Sequence, residues 1–300
     1  MSGAFKLRDV TKVIMKLRSI VSTTTRDDFR LSSGVVLDGP IGVATGQAGT
    51  QILYALLGAR VLCAKVGARA ALNHEWNVSQ VLHGGTRIAP AVVRAEALED
   101  VPGRDLAALL LPIFPLSLAD AAAALPSGVG PARNAIALSA AICGLAAVAS
   151  FAAVGWAHGD IKPSNIMLMG SAAGCVVIDF GTARKLGGIF SESSNFSLNE
   201  QRLSSVGYDL VCLGSTLAMI QHELFPEPGV TTRESLLAKL SSGAYAETPA
   251  SIAAVACLEL GARTDINCEE LLALASRVVD AAKLTGLAVP ALEDVWPREV

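Results

Sequence analysis

Between residues 158 and 181 the chain places two carboxylates, Asp160 and Asp179, an amide, Asn165, and a cation, Lys162. Oxygen ligands beside a positive charge suit the movement of a phosphoryl group, which calls for positioning and for neutralisation of charge on phosphate oxygens. Hard magnesium ions take oxygen ligands, which Asp179 and Asn165 would supply. Lys162 would hold the transferring phosphate as a compact cation. Each residue alone means little, since an Asp after a strand often forms a turn or caps a helix. Their joint spacing is the informative feature.

Residues 158–165 read His-Gly-Asp-Ile-Lys-Pro-Ser-Asn, and an apolar strand expected at Cys175–Ile178 ends in Asp179-Phe180-Gly181. This pairing resembles the catalytic loop and metal-binding motif of eukaryotic-type protein kinases, with Gly159 the one departing motif position. The resemblance implies that Asp160 orients an acceptor hydroxyl and takes its proton. Upstream, Val61-Leu62-Cys63-Ala64-Lys65-Val66 resembles the family's V-A-I-K strand. It implies that Lys65 meets the α- and β-phosphates of ATP and that Glu75, on the following helix, pairs with it. Ala44-Thr45-Gly46-Gln47-Ala48-Gly49 resembles the glycine-rich loop with its first glycine replaced, leaving Gly46 and Gly49 to bring backbone N–H groups to phosphates. Leu111 and Ile113, either side of Pro112, take the hinge position of the nucleotide site.

The resemblance extends further along the chain. Tyr208-Asp209-Leu210-Val211-Cys212-Leu213-Gly214 resembles the start of the central helix of the kinase C-lobe, where Asp209 holds the catalytic-loop backbone. Asn199-Glu200-Gln201 stands where the family has A-P-E, and the segment from Ala262 to Leu272 resembles the one closing the kinase fold. Arg263 is then expected to pair with Glu200 in a buried salt bridge.

The function implied is ATP- and magnesium-dependent transfer of phosphate to Ser or Thr hydroxyls of a protein substrate. Two alternatives stay open. The His-Gly-Asp form also occurs in small-molecule kinases resembling aminoglycoside and choline phosphotransferases, and the fold can survive as a catalytically weak pseudokinase scaffold. Gly159 replaces the arginine that in many kinases receives a phosphate on the activation segment. Activation by that route is not expected, so activity would be constitutive or set by a regulatory partner. Ser191, Ser193, Ser194 and Ser197 are expected to be accessible to modification.

The elements that must position these groups follow from texture. Short apolar runs at Gly34–Leu37, Gln51–Leu56, Arg60–Val66, Ala89–Ala95 and Leu106–Ile113, punctuated by Gly and Pro, predict strands, with one helix at His74–Leu82. Helical texture then occupies 118–125, 132–154, 209–224, 233–240, 248–260 and 267–284. The prolines of Pro112-Ile113-Phe114-Pro115 stop both strand and helix, marking a joint where a cleft would form. The expectation is an α+β, bilobal protein-kinase-like fold. An amphipathic extension occupies 1–30, a β-rich N-lobe 31–112, a larger helical C-lobe 113–284 and a tail 285–300.

Three hundred residues, 52% hydrophobic and 17% charged, suffice for a large core and exclude a wholly disordered chain. A formal charge of −3 gives no basic field for a nucleic-acid partner. The six cysteines show no C-x-x-C pair and read as small buried hydrophobes in a reducing, cytoplasmic compartment. Ala135–Ala157 carries no charge and is long enough to cross a bilayer, but it is mostly Ala and runs into a polar loop. A buried helix of a globular domain is expected, with no transmembrane span. Val10, Val13, Ile14, Leu17 and Val21 give the N-terminal stretch one apolar helical face, expected to pack on the domain.

Overall fold

The computed structural model describes residues 30–45, 50–85, 87–169, 174–191, 194–198, 202–245 and 247–299, with 39–45 as backbone. Residues 1–29, which carry the N-terminal amphipathic segment, and the Gly46 and Gly49 loop lie outside the described residues. Along the chain run β1 (Val36–Thr45), β2 (Gln51–Leu57), β3 (Arg60–Ala68), α1 (Arg69–His83), β4 (Arg87–Ile88), β5 (Ala97–Asp100), β6 (Leu106–Pro112) and β7 (Leu116–Ser117). There follow α2 (Leu118–Ala123), α3 (Pro131–Ala152), β8 (Trp156–Ala157), β9 (Ile166–Leu168), β10 (Cys175–Val177), β11 (Arg184–Lys185) and α4 (Val206–His222). The chain closes with α5 (Arg233–Ser241), α6 (Pro249–Leu260), α7 (Cys268–Leu284), α8 (Leu292–Val295) and β12 (Arg298–Glu299). It divides into two compact units, Met1–Gln80 with Val93–Pro115, and Val81–Val92 with Leu116–Val300.

The first unit is a sheet in the order β1-β2-β3-β6-β5, with each described neighbour antiparallel. Strand alternation sends Leu62, Ala64 and Val66 of β3 into one apolar cluster with Leu31, Leu37, Ala55 and Leu110. Leu109, Ala107 and Ala95 form a second cluster with Leu72 of α1, against which Trp76 and Leu111 pack. Helix α1 therefore turns Leu72, Glu75 and Ser79 inward, all buried at helical spacing, and Ser79 Oγ accepts from the Ala95 N–H at 2.9 Å.

The second unit is built on α3. This 22-residue helix opens on Pro131 at its first turn and is buried on every face from Ala137 to Phe151. It is long and apolar enough to cross a membrane, but most of it lies buried inside this unit, as expected for a core helix. At its start the buried Arg133 donates to the carbonyls of Ile220 at 2.9 Å and Pro126 at 3.1 Å and pairs with Glu223 at 3.2 Å. The ends of α4 and α3 are thus fastened together. Capping side chains begin three further helices: Ser205 on α4, Thr248 on α6 and Asn267 with Glu270 on α7.

Two expectations are corrected here. Ala89–Ala95 forms no strand: Pro90 has no N–H to give to a ladder, and only Val92 makes a bridge, parallel to Val177. The helix expected at His74–Leu82 runs from Arg69 to His83, because Arg69, Ala70 and Ala71 are good helix formers that the apolar pattern did not count.

Candidate active site

In the first unit Lys65 sits on β3, opposite Ile52 of β2 and Leu109 of β6. Directly opposed residues of an antiparallel pair share a face. Lys65 and Leu109 therefore face the same way, as do Cys63 and Leu111, towards the side covered by α1. Glu75 is the acidic member of the inward stripe of α1, and Lys65 Nζ meets its Oε1 at 2.6 Å. Their side chains are 15% and 6% exposed, so the pair is largely out of water. A carboxylate so buried is tolerable because the ammonium compensates it. Ile113, half-buried, follows β6. Burial raises the neighbouring Cys63 thiol to about 11, with Lys65 pulling the other way, so it is no nucleophile.

In the second unit the loop from His158 to Asn165 hangs on one carboxylate. Asp209, in the first turn of α4, is fully buried and accepts the N–H of His158 at 2.7 Å and of Gly159 at 2.8 Å. Burial pushes its carboxyl up from its ordinary value, while His158 and those two backbone donors pull it back. His158 is equally buried, and its Nδ1 accepts from the Asp160 N–H at 3.2 Å. That contact assigns the ring proton to Nε2, which donates to the Ile178 carbonyl at 3.1 Å. Edge-to-face packing on Phe151, at 5.3 Å between centroids, and on Phe180, at 6.0 Å, closes an aromatic cluster.

The polar groups converge on Asp160. Lys162 Nζ meets its Oδ2 at 2.6 Å, and Asn165 Nδ2 donates to the same oxygen at 3.1 Å and to the Asp160 carbonyl at 2.9 Å. Since Asp160 offers only acceptors there, the Asn165 amide nitrogen must point at it, leaving the amide oxygen for another partner. The Ile178 N–H donates to the Asn165 carbonyl at 2.9 Å, tying the loop to the chain one residue before Asp179. Thr182, beyond the motif, donates to the His158 carbonyl at 2.9 Å. Asp179 itself holds φ +70°, a left-handed conformation uncommon for a residue with a Cβ and typical of functional loops.

The donor set suits a hard cation. Asn165 and Asp179 offer oxygen, and among the described residues no group of three His, Cys, Asp or Glu stands ready to hold a metal alone. A magnesium ion held by such a pair would complete its shell from phosphates and water.

Sequence reasoning did not flag His158, Phe151 and Thr182 as site residues. Only the motif match singles out His158, and Phe151 carries no signal inside an Ala-rich helix. Two other expectations change. Ser197 is fully buried and donates to the Ser194 carbonyl at 2.7 Å, so it is not accessible to modification. Arg263 is exposed rather than buried and bonds Asp265 at 3.0 Å and Glu270 at 2.7 Å, while Glu200 lies outside the described residues.

No protein-family model matches this sequence, and no curated protein matches it. Among solved structures, that of vaccinia related kinase 3 aligns with a TM-score of 0.61 over 91% of this chain and 96% of that one, at 14% identity. The chain has a protein-kinase-like fold. At that identity the likeness speaks for the fold, and activity must be argued from the residues themselves.

Proposed function

We propose that the chain is a protein kinase that transfers the γ-phosphoryl group of ATP, with magnesium, to Ser or Thr hydroxyls of a protein substrate. The observation that carries this reading is the cluster in which Asp160 meets both Lys162 and Asn165 on a loop suspended from Asp209. A merely structural loop has no need to gather a carboxylate, a cation and an amide at one oxygen.

In this mechanism Asp160 accepts a hydrogen bond from the acceptor hydroxyl, aims its oxygen at the γ-phosphorus and takes its proton as the new O–P bond forms. The bond from the γ-phosphorus to the bridging oxygen breaks, and ADP leaves with that electron pair. Lys162 lies one hydrogen bond from Asp160 and balances charge on the transferring group. Asn165 and Asp179 would hold magnesium, which supplies positive charge to the phosphate oxygens when bound. Lys65, oriented by Glu75, would hold the α- and β-phosphates, with Gly46 and Gly49 approaching them through backbone N–H groups and Leu111 and Ile113 bordering the nucleotide. The six free cysteines agree with a reducing, intracellular setting.

Gly159 favours a second reading, since the His-Gly-Asp form is shared with small-molecule kinases. Both are tested by incubating the chain with labelled ATP and magnesium beside Asp179→Ala and Lys65→Ala, offering a generic Ser/Thr protein in one arm and aminoglycoside or choline acceptors in the other. Transfer to protein that both substitutions abolish supports the protein kinase. Transfer to the small acceptors alone supports the second reading, and nucleotide binding without transfer marks a scaffold.

A further inference from the structure

Gly159 holds φ +81°, and a Cβ built there would lie 2.4 Å from Cε1 of Phe190. The position therefore admits glycine alone for two separate reasons, a left-handed backbone and a ring already occupying the side-chain space. Phe190 belongs to the segment after Asp179-Phe180-Gly181 and is 1% exposed, whereas its neighbour Ile189 is 76% exposed. At this point the segment turns the Phe190 ring inward and leaves Ile189 in solvent. The Phe190 N–H donates to the Arg202 carbonyl at 2.8 Å, and Gly187 and Gly188 exchange bonds with Ser204 at 2.9 and 2.8 Å. The inward ring is thus set by a short antiparallel pairing on the segment itself.

The same ring packs on Tyr208, with centroids 4.7 Å apart. Tyr208 adjoins Asp209, whose carboxylate holds the N–H groups of His158 and Gly159. Its hydroxyl accepts the Ser194 N–H at 3.2 Å, so the same ring meets the segment twice. Burial raises that phenol to about 12, which keeps it neutral. Phe190 consequently fills the space between the backbone just before Asp160 and the first turn of the helix that suspends it.

We propose that Phe190 is a positioning residue: seated in the cradle left by Gly159 and closed by Tyr208, it fixes both the segment and the backbone carrying Asp160, so the segment needs no phosphate to be ordered. This rests on the phosphoryl-transfer reading above and adds how that site is regulated. An apolar anchor is permanent, whereas an arginine at 159 would have waited for a charge to arrive. An arginine at 159 would be strained at φ +81° and would displace the Phe190 ring.

The test uses the full chain as wild type, Phe190→Ala and Phe190→Leu, each with and without phosphatase treatment. Phosphate transfer and amide hydrogen exchange over 186–191 and 202–205 and at Gly159 are followed together. The expected result is unchanged wild-type transfer after phosphatase, and a kcat about 100-fold lower for Phe190→Ala with the KM for ATP unchanged, as misplacing a catalytic group by an ångström costs. Phe190→Leu, which refills much of the cradle, recovers most of the rate and keeps the measurement valid if the alanine variant fails to fold. Wild-type transfer lost on phosphatase treatment, or a full kcat in Phe190→Ala, overturns the proposal. If the wild type transfers nothing, the phosphoryl-transfer reading fails, and the exchange arm still decides the anchor: faster exchange in Phe190→Ala supports it, and unchanged exchange overturns it.

Discussion

Replacing Asp209 by alanine leaves the N–H groups of His158 and Gly159 facing a dry interior with no acceptor. Each stranded buried donor costs about 1–3 kcal/mol. Removing the carboxylate also ends its own burial, the same effect that pushes its carboxyl upward, and this offsets part of the loss. The net expectation is about 3 kcal/mol of destabilisation. For a chain of 300 residues, unfolding with about 2.1 cal/mol/K of entropy per residue, that amounts to a melting temperature lower by about 5 °C. Asp209→Asn keeps one acceptor oxygen but turns an NH2 group on the second N–H, so it should fall between wild type and alanine. Thermal melting of all three proteins at one pH measures the effect. The loop that loosens carries Asp160, and phosphate transfer should drop by about 10–100-fold at temperatures where the alanine variant is still folded. An alanine variant melting within about 2 °C of wild type would mean that these two hydrogen bonds do not suspend the loop.

Other consequences are open to simple measurements. Glu75→Ala removes the carboxylate that meets the Lys65 ammonium, 15% exposed, and should cost about 3 kcal/mol in urea unfolding, whereas Lys65→Met with Glu75→Leu should recover much of that because both charges leave together. A double variant no more stable than Glu75→Ala refutes this. His222 is pushed below its ordinary pKa by burial, against Tyr245 and Ser251. A base whose folded pKa is depressed contributes stability above its unfolded value, near 6.5, and loses it as pH falls through the folded one, so His222→Gln should flatten the decline of melting temperature below about pH 6.5. Gly207 meets the turn after α6 so closely that a Cβ would lie 2.0 Å from the Arg263 carbonyl oxygen. Gly207→Ala should cost about 1–3 kcal/mol or more in denaturant, since backbone on both sides must move. Arg263→Ala, removing only exposed ion pairs, should leave the melting temperature nearly unchanged.

Periodicity in the sequence sufficed for the helices that pack by one regular rule: the stretches expected at 132–154, 233–240, 248–260 and 267–284 lie within two residues of α3, α5, α6 and α7. It failed at Ala89–Ala95, where Pro90 interrupts the donors and the run makes only a single bridge, Val92 to Val177. The motif residues were legible because Asp160, Lys162 and Asn165 lie within one short loop whose pattern resembles the kinase catalytic loop, and in the structure they meet at one oxygen. Lys65 and Glu75 were legible through the resemblance to the kinase strand and the glutamate of the helix that follows it, and the two side chains meet at 2.6 Å.

Contacts made between distant stretches of chain were decided only by the tertiary structure. Phe151, in the last turn of an Ala-rich helix, reaches His158 and Phe180, and nothing about its neighbours in sequence marks it out. Ser197 reads as one more exposed serine until the fold closes over it. Gly159 reads as a missing arginine, and the structure turns it into a cradle for Phe190. The sequence by itself determined which groups the loop can offer, because side-chain chemistry and short-range spacing are properties of the chain. Which of them are buried, what they pack against and what holds them still depended on non-local packing, which no short window of sequence contains.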